Sequence, residues 1–186
     1  MSEKRQPSAA TRIVLGHRPL ILDTETTGLG TDAEIVEIGI IDDQGGIVFE
    51  SLIRPRTPIP AATTTIHGIT NADVAQAPTW AEVHDRVARV IEDRDVGIYN
   101  ASYDVRLLRQ TAGLYDLEMP EYRPWCAMLE YAKYWGEWDG ARESWKWQRL
   151  SNAARQMGIT LPADSQAHRA IYDCRMTLAV MQAMAQ

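Results

Sequence analysis

The sequence is short of cysteine and of long apolar runs, and each shortage excludes a class of protein. Its two cysteines, Cys126 and Cys174, are too few and too far apart for a disulfide framework or a zinc site, so we expect reduced structural thiols. No apolar run reaches the roughly 18–20 residues that a membrane span needs. The first residues also lack the apolar core of a secretory signal. These features predict a cytoplasmic protein without membrane contact.

Positive charge is also scarce, because the net charge at pH 7 is −6. Proteins that grip long duplexes are usually basic, since phosphate contacts supply most of their affinity. The acidity therefore disfavours a sequence-reading DNA-binding protein. It is compatible with an enzyme that holds a few terminal nucleotides in a site that is acidic because it binds cations.

The length and composition predict a single folded domain. A chain of 186 residues with 45% hydrophobic residues can bury one sizeable core. Internal repeats, low-complexity tracts and linkers are not evident in the sequence. The low hydrophobicity of residues 1–18 predicts a flexible N-terminal tail, which leaves residues 19–186 as the domain.

The order of predicted elements indicates an α/β protein. Apolar and β-branched runs predict strands, and apolar residues at helical spacing predict helices, the first of them N-capped by Thr79. The strands are predicted at 19–23, 34–41, 47–53 and 96–99, and the helices at 80–94, 102–110, 128–134, 147–157 and 169–185. A turn at 42–46 makes the second and third strands a hairpin. The result is a mixed sheet flanked by helices.

Acidic residues follow two of these strands and begin the last helix. Asp23 and Glu25 are two residues apart at a strand end, so both side chains point to one face. Asp104 follows the strand predicted at 96–99, and functional groups of α/β sheets cluster at strand ends. His168 precedes Asp173 by five residues, and residues five apart on a helix point about 140° apart. If both serve one site, His168 must lie in the loop before the helix.

Four acids and a histidine suit the hydrolysis of a phosphodiester. This reaction needs an activated water and stabilisation of the leaving 3′-oxygen, which two divalent ions about 3.5–4 Å apart can supply. Oxygen ligands favour Mg²⁺ or Mn²⁺ over Zn²⁺. A histidine with a pKa near 6.5 can take the proton of the water at cellular pH.

Three segments resemble the motifs of the DEDDh (DnaQ-like) exonuclease superfamily. They are Asp-Thr-Glu-Thr-Thr-Gly at 23–28, Asn-Ala-Ser-Tyr-Asp at 100–104 and His-Arg-Ala-Ile-Tyr-Asp at 168–173. They occur in the family's order, and the resemblance covers about residues 19–183. The tyrosine subclass would carry tyrosine where Arg169 stands, so the histidine subclass is indicated. The resemblance implies a ribonuclease H-like fold and two-metal 3′–5′ exonuclease chemistry that releases 5′-mononucleotides.

The resemblance also implies a role for each matching residue. Asp23, Glu25 and Asp173 would hold the catalytic metal. Asp23 would also touch a second ion that Asp104 holds through water, and His168 would act as the base. The residues that would contact the substrate are Thr24 and Thr26 in the first motif, Leu29 just beyond it, His67 in the Ile-His-Gly-Ile-Thr segment, and Asn100.

Five of the six tryptophans lie between residues 125 and 147, interleaved with lysine and arginine. Such aromatics could stack on the bases of a single strand. They could equally pack in the core, join a helix pair or form an oligomer contact.

The leading hypothesis is therefore a stand-alone 3′–5′ exonuclease that acts on the 3′ ends of single-stranded DNA. We expect no polymerase-docking tail, and a homodimer is left open. Two alternatives stay open: a 3′–5′ exoribonuclease of the oligoribonuclease or ribonuclease T type, and an inactive nuclease-fold binding module. The intact set of four acids and His168 speaks against the inactive module.

Overall fold

The computed structural model of the chain describes residues 6–160 and 169–186. Its strands are β1 Leu20–Thr26, β2 Ile35–Ile41, β3 Ile47–Leu52, β4 Asp95–Ile98, β5 Arg123–Cys126, β6 Trp138–Asp139 and β7 Ser144–Trp145. Its helices are α1 Ala9–Gly16, α2 Ala61–His67, α3 Asn71–Val74, α4 Trp80–Ile91, α5 Ala101–Gly113, α6 Ala127–Trp135, α7 Leu150–Gln156 and α8 Ala170–Met184.

The main sheet is mixed, with the strand order β3-β2-β1-β4-β5. β2 pairs antiparallel with β1 and β3, whereas β4 runs parallel to β1 and β5 parallel to β4. Every residue of β2 is buried, as expected for a strand whose two faces are both covered. The predicted mixed sheet flanked by helices in a single domain is confirmed.

Alternating side chains of β1 enter two hydrophobic cores on opposite faces of the sheet. Leu20 and Leu22 belong to the core that includes Trp80 of α4. Ile21 belongs to the other core, with Met181 of α8. Because α8 packs along β1 and β2 on this second face, its first turn comes to the end of β1.

The expectation of a flexible tail over residues 1–18 is wrong for the part that the structure describes. α1 lies in this segment, and the Ser8 amide, next to its start, donates to the carbonyl of Met184 at 2.8 Å. Val14 and Leu15 pack against the second core. A few well-placed apolar residues therefore hold the segment against α8, although most of the segment is polar or small.

Other elements agree with the sequence patterns to different degrees. The predicted helix at 80–94 is present as α4, and both the amide and the hydroxyl of Thr79 donate to Glu82 at its start. The helix predicted at 147–157 begins only at Leu150, and residues 147–149 connect it to the hairpin of β6 and β7. β5 was not predicted because it contains Pro124, which a sheet tolerates on an edge strand such as this one.

Within residues 6–160 and 169–186, no helix has both the length and the apolar character that crossing a bilayer requires.

Candidate active site

β1 ends with two acidic residues on one face of the sheet. Asp23 is paired with Gly39 of β2, and Glu25 is paired with Glu37. Residues two apart on a strand share a face, and Ile21, two residues before Asp23, lies in the core that α8 covers. The two carboxylates therefore lie on the α8 side of the sheet.

A third acid reaches this place from the first turn of α8. The helix can approach because Gly39 has no side chain: a Cβ atom there would lie 2.9 Å from the carbonyl carbon of Ala170. Asp173 lies in that first turn. One carboxylate oxygen from each of Asp23, Glu25 and Asp173 can be chosen so that all three lie within 4.8 Å of one another.

The fourth acid, Asp104, comes from the first turn of α5, directly after β4. It is buried, and its carboxylate accepts a hydrogen bond of 2.7 Å from the hydroxyl of Thr24. Thr24 stands between Asp23 and Glu25 in the chain. This bond therefore ties α5 to the acidic end of β1.

All four acids line one open cleft of about 190 Å³. The other lining residues are Thr24, Tyr99, Asn100, Tyr103 and Leu150. The structure thus brings together acids that the sequence places in three separate motifs. We call Asp23, Glu25, Asp104 and Asp173 the acid cluster.

The acid cluster is unfavourable for ionised carboxylates on their own. Burial raises the pKa of Asp23 well above its usual range, and the charges of Asp104, Asp173 and Glu25 raise it further. Burial, followed by the charge of Asp173, raises the pKa of Glu25 to about 8. Burial also raises the pKa of Asp104 to about 7, against the opposing effect of the Thr24 hydrogen bond. A bound cation would relieve this repulsion.

The donor atoms suit a hard divalent cation. Carboxylate oxygens are the ligands that Mg²⁺ and Mn²⁺ prefer, whereas structural zinc sites draw on cysteine and histidine. The nearby thiol of Cys174 donates to the carbonyl of Gly39 at 3.3 Å, and burial raises its pKa well above the usual value. It therefore stays a neutral thiol beside the oxygen ligands.

The residues predicted to contact substrate are placed differently from one another. Asn100 lines the cleft at the start of α5, and Leu29 projects into solvent with 82% of its surface exposed. The hydroxyls of Thr24 and Thr26 are used inside the protein, the latter donating to the carbonyl of Gly28 at 2.9 Å. Any substrate contact from the two threonines is therefore left to their backbone groups.

The structure describes one of the two histidines named in the sequence analysis. His67 ends α2, is buried, and accepts the amide proton of Ile69 on Nδ1 at 3.0 Å. It is not among the described residues that line the cleft. His168, the predicted base, lies outside the described residues.

Two side chains that were not predicted from the sequence hold the loop after β1 through hydrogen bonds to its carbonyls. The Tyr103 hydroxyl donates to the carbonyl of Gly28 at 2.8 Å. The guanidinium of Arg106 donates to the carbonyls of Leu29 and Gly30, at 3.2 Å each. Tyr103 could have been found beside Asp104 in the second motif, but Arg106 carries no local signal.

A second missed network lies at the start of α8. The buried carboxylate of Glu37 binds the side chain of Arg169 and the backbone amide of Ala170. Finding it requires the register of β2 against β1, which no motif specifies.

Comparison with known proteins agrees with this geometry. A family model described as exonuclease, of the RNase T type, matches residues 20–181. The chain belongs to this exonuclease family. Members of the family act on nucleic acid and generally use divalent metal ions, which the acid cluster of this chain could bind.

Similar members of the exonuclease family include viral and bacterial proteins. The "Uncharacterized exonuclease CP81" of Escherichia phage 186 is 47% identical over 173 residues, covering 90% of this chain and 88% of that protein. Exodeoxyribonuclease 10 of Escherichia coli K12 is 31% identical over 166 residues, covering 87% of this chain and 66% of that protein.

A solved structure supports the assignment to the exonuclease fold. Exonuclease X in complex with 5′-overhanging duplex DNA superimposes with a TM-score of 0.67 and 28% identity, covering 89% of this chain and 90% of that one. The ribonuclease H-like fold expected from the motifs is thereby confirmed.

Proposed function

We propose that the chain is a metal-dependent exonuclease that shortens DNA in the 3′–5′ direction and releases 5′-mononucleotides. The observation that carries the proposal is the convergence of Asp23, Glu25 and Asp173 within 4.8 Å in one open cleft. Their mutual repulsion destabilises the metal-free protein, and such perturbed carboxyl groups are typical of functional sites. Residues 19–186 form the proposed catalytic domain, against which α1 packs.

The acid cluster divides into two kinds of ligand. Asp23, Glu25 and Asp173 would hold the catalytic ion, and Asp23 would also serve a second ion. Asp104, oriented by the hydroxyl of Thr24, would help to hold that second ion. Two Mg²⁺ or Mn²⁺ ions, when bound, supply activation of the attacking water and neutralise charge on the leaving 3′-oxygen.

His168 takes the proton of the attacking water. The oxygen of that water forms a bond to phosphorus, and the bond from phosphorus to the 3′-oxygen breaks. The leaving 3′-oxygen takes a proton from solvent, so the products are a 5′-mononucleotide and a shortened strand with a new 3′-hydroxyl. His168 directly precedes Arg169, the residue at the N-cap of α8, so it belongs to the same segment of chain that delivers Asp173.

The strand end is held by groups around the cleft. Leu29, exposed on the loop after β1, packs against the terminal base. Asn100 contacts the terminal nucleotide from the start of α5, and His67 supports the same nucleotide from α2. Thr24 and Thr26 contribute backbone groups.

Three exposed tryptophans support a single strand as the substrate. Trp138 of β6 and Trp145 of β7 meet edge to face with ring centroids 5.1 Å apart. Trp147 follows the hairpin, and the three side chains are 41–56% exposed. Trp135, by contrast, stacks on Tyr131 inside the protein at 5.9 Å, so it is a packing residue.

The hairpin of β6 and β7 is continuous with the cleft. The Tyr99 hydroxyl, in the cleft lining, donates to the carbonyl of Gln148 at 2.9 Å. Leu150, two residues further, lines the cleft itself. We infer that a strand whose 3′ end enters the cleft extends over the hairpin, where its bases can stack on the exposed rings.

DNA is the proposed polymer because exodeoxyribonuclease 10 and the DNA-bound exonuclease X are among the similar proteins. The test uses 5′-labelled DNA and RNA of equal sequence, each incubated with Mg²⁺, with Mn²⁺ or with EDTA. We expect a ladder of DNA products that shorten from the 3′ end, and no reaction in EDTA. Asp173→Asn should be inactive, and Asp116→Asn, which changes an exposed acid beyond α5, should keep full activity.

Each other outcome contradicts a separate part of the proposal. Early release of the label refutes the 3′–5′ direction, and full activity in EDTA refutes metal dependence. Faster shortening of RNA favours the exoribonuclease. No shortening of either polymer favours the inactive binding module.

A further inference from the structure

An ion pair between the half-buried Arg169 and the buried Glu37 joins the start of α8 to β2. Glu37 is opposite Glu25 in the sheet, and its side chain is 3% exposed. The Nε atom of Arg169 donates to both oxygens of Glu37, at 2.9 and 3.1 Å, and Nη2 donates to one of them. The backbone amide of Ala170 donates to the other oxygen at 2.9 Å.

We propose that Glu37 and Arg169 are positioning residues that fix the first turn of α8 where Asp173 can share a cation with Asp23 and Glu25. The inference rests on the proposed function, because it assigns a structural support to that same site.

The start of α8 needs this support for a simple reason. The first amides of a helix have no partner within the helix, and a Ser, Thr, Asp or Asn at the N-cap usually accepts one of them. The N-cap residue here is Arg169, whose side chain only donates and makes no capping bond. Glu37 accepts the amide of Ala170 in place of the missing cap, and its negative charge suits a helix N-terminus.

The same contacts remove Glu37 from the set of metal ligands. Both of its oxygens are taken by Arg169 and Ala170. The charge of Glu37 raises the pKa of Glu25, and the guanidinium of Arg169 offsets part of this effect. Glu37 therefore holds the start of α8. Asp173, one helical turn after Arg169, is the residue of α8 that meets the acids of β1.

The pair acts on Asp173 through a short and rigid path. The amide of Asp173 donates to the carbonyl of Arg169 at 3.0 Å, so the two residues bound the same helical turn. Gly39, two residues after Glu37 on β2, lets this turn lie directly on the strand. Loss of the ion pair would free the turn without removing any metal ligand.

The closing experiment compares Arg169→Ala and Arg169→Lys with Arg123→Ala. Arg123 donates to Asp95 at 2.7 Å, at the beginning of β4 and β5, so its loss removes a more exposed arginine–carboxylate pair at the opposite end of these strands from the acid cluster. Two readouts need no turnover: hydrogen exchange of the first turn of α8 in EDTA, and the affinity for Mn²⁺ measured by calorimetry.

In Arg169→Ala we expect faster exchange of the first turn of α8 and a loss of Mn²⁺ affinity of about 10–100-fold, the usual effect of removing a support of a metal ligand. Arg169→Lys keeps the positive charge but loses the paired Nε and Nη2 donors of arginine. It should therefore recover part of the slow exchange and part of the Mn²⁺ affinity. Arg123→Ala should leave both at the wild-type values even if its melting temperature falls.

Wild-type exchange and wild-type Mn²⁺ affinity in Arg169→Ala would overturn the positioning role while leaving the proposed function intact. Equal losses in Arg123→Ala would also overturn it, because they would reflect general destabilisation. A wild-type protein that binds no Mn²⁺ would refute the proposed function itself and the positioning role with it.

Discussion

Raising the pH should destabilise the metal-free protein through the acid cluster. In an unfolded chain, aspartate and glutamate lose their protons at about pH 4. In the folded protein the pKa of Glu25 is about 8 and that of Asp104 is about 7. Between these limits the folded state keeps protons that the unfolded state has released. The contribution of these groups to the free energy of unfolding is therefore greatest below about pH 4. It is lost as the pH rises towards 8.

The size of the effect follows from proton linkage. One extra proton held by the folded state costs about 1.4 kcal/mol of stability for each pH unit. For Glu25 and Asp104 alone, two such protons over two pH units, reduced for partial solvent screening, give a loss on the order of 3 kcal/mol between pH 5 and 7, to which Asp23 adds in the same direction. For a chain of this size the melting temperature should fall by roughly 6–12 °C.

Ordinary ion pairs do not obscure this trend. The hydrogen bond from Arg123 lowers the pKa of Asp95. Such a group adds stability above its unfolded pKa and loses it only as the pH falls further. Its contribution is therefore constant from pH 5 to 8.

Asp23→Asn is the matched perturbation, because it removes one charge of the cluster and keeps the shape of the side chain. The remaining carboxyl groups should titrate closer to their usual values. At pH 8 in EDTA the variant should be more stable than the wild type by about 2 kcal/mol, or roughly 4–8 °C. Its melting temperature should also depend less on pH.

The assay is differential scanning calorimetry in EDTA at pH 5, 6, 7 and 8, repeated with saturating Mg²⁺. Mg²⁺ should stabilise the wild type most at pH 8, because the ion binds the deprotonated carboxylates. Asp116→Asn serves as the control for loss of an acid outside the cluster. A wild-type melting temperature that is constant or rises from pH 5 to 8 in EDTA would refute the reasoning.

The remaining predictions concern the base and the substrate contacts. His168→Ala should lower kcat by about 10²–10⁴ and keep wild-type Mn²⁺ affinity, with partial recovery at higher pH; loss of an ion in a Mn²⁺ titration would make His168 a ligand instead. Trp145→Ala or Trp147→Ala should weaken single-strand binding in Ca²⁺ by about 1–3 kcal/mol; unchanged affinity with a lower melting temperature would identify packing residues. Arg106→Ala should weaken binding of the strand end by about 1–2 kcal/mol, because it frees the loop that carries Leu29; wild-type affinity would exclude this brace.

The sequence predicted the acid cluster better than its surroundings. Alternation on a strand suffices to put Asp23 and Glu25 on one face. The closing of the cluster by Asp173 depends on a helix crossing β2 at Gly39, which only the three-dimensional packing determines. The motifs could therefore supply the ligands but not the contacts that hold them.

The support of the site could not be predicted for a physical reason. The sequence pattern does not distinguish Glu37 from any other polar residue of a strand. Its position beside the site becomes clear only when the pairing of β1 with β2 is known. Its partner Arg169 lies more than a hundred residues away in the sequence. In the same way, the burial of α1 depends on contacts with α8 and not on local composition.

The tryptophan-rich stretch shows the limit of composition as a signal. Exposure separates its members into packing residues, such as Trp135, and surface residues, such as Trp138 and Trp145. Nothing in the local sequence distinguishes the two kinds, because both alternate with charged residues. The hairpin of β6 and β7, which carries Trp138 and Trp145, was not predicted from the sequence.

The central claim is that the acid cluster holds the divalent ions of an exonuclease. The most direct measurement is a calorimetric Mn²⁺ titration of the wild type and of Asp23→Ala, since Asp23 is the acid proposed to touch both ions. Alanine is used here because the amide oxygen of asparagine could still bind a cation. We predict two ions for each wild-type chain, and severely weakened binding in a variant that stays folded. A titration of Asp23→Ala that overlays the wild-type curve would contradict the account.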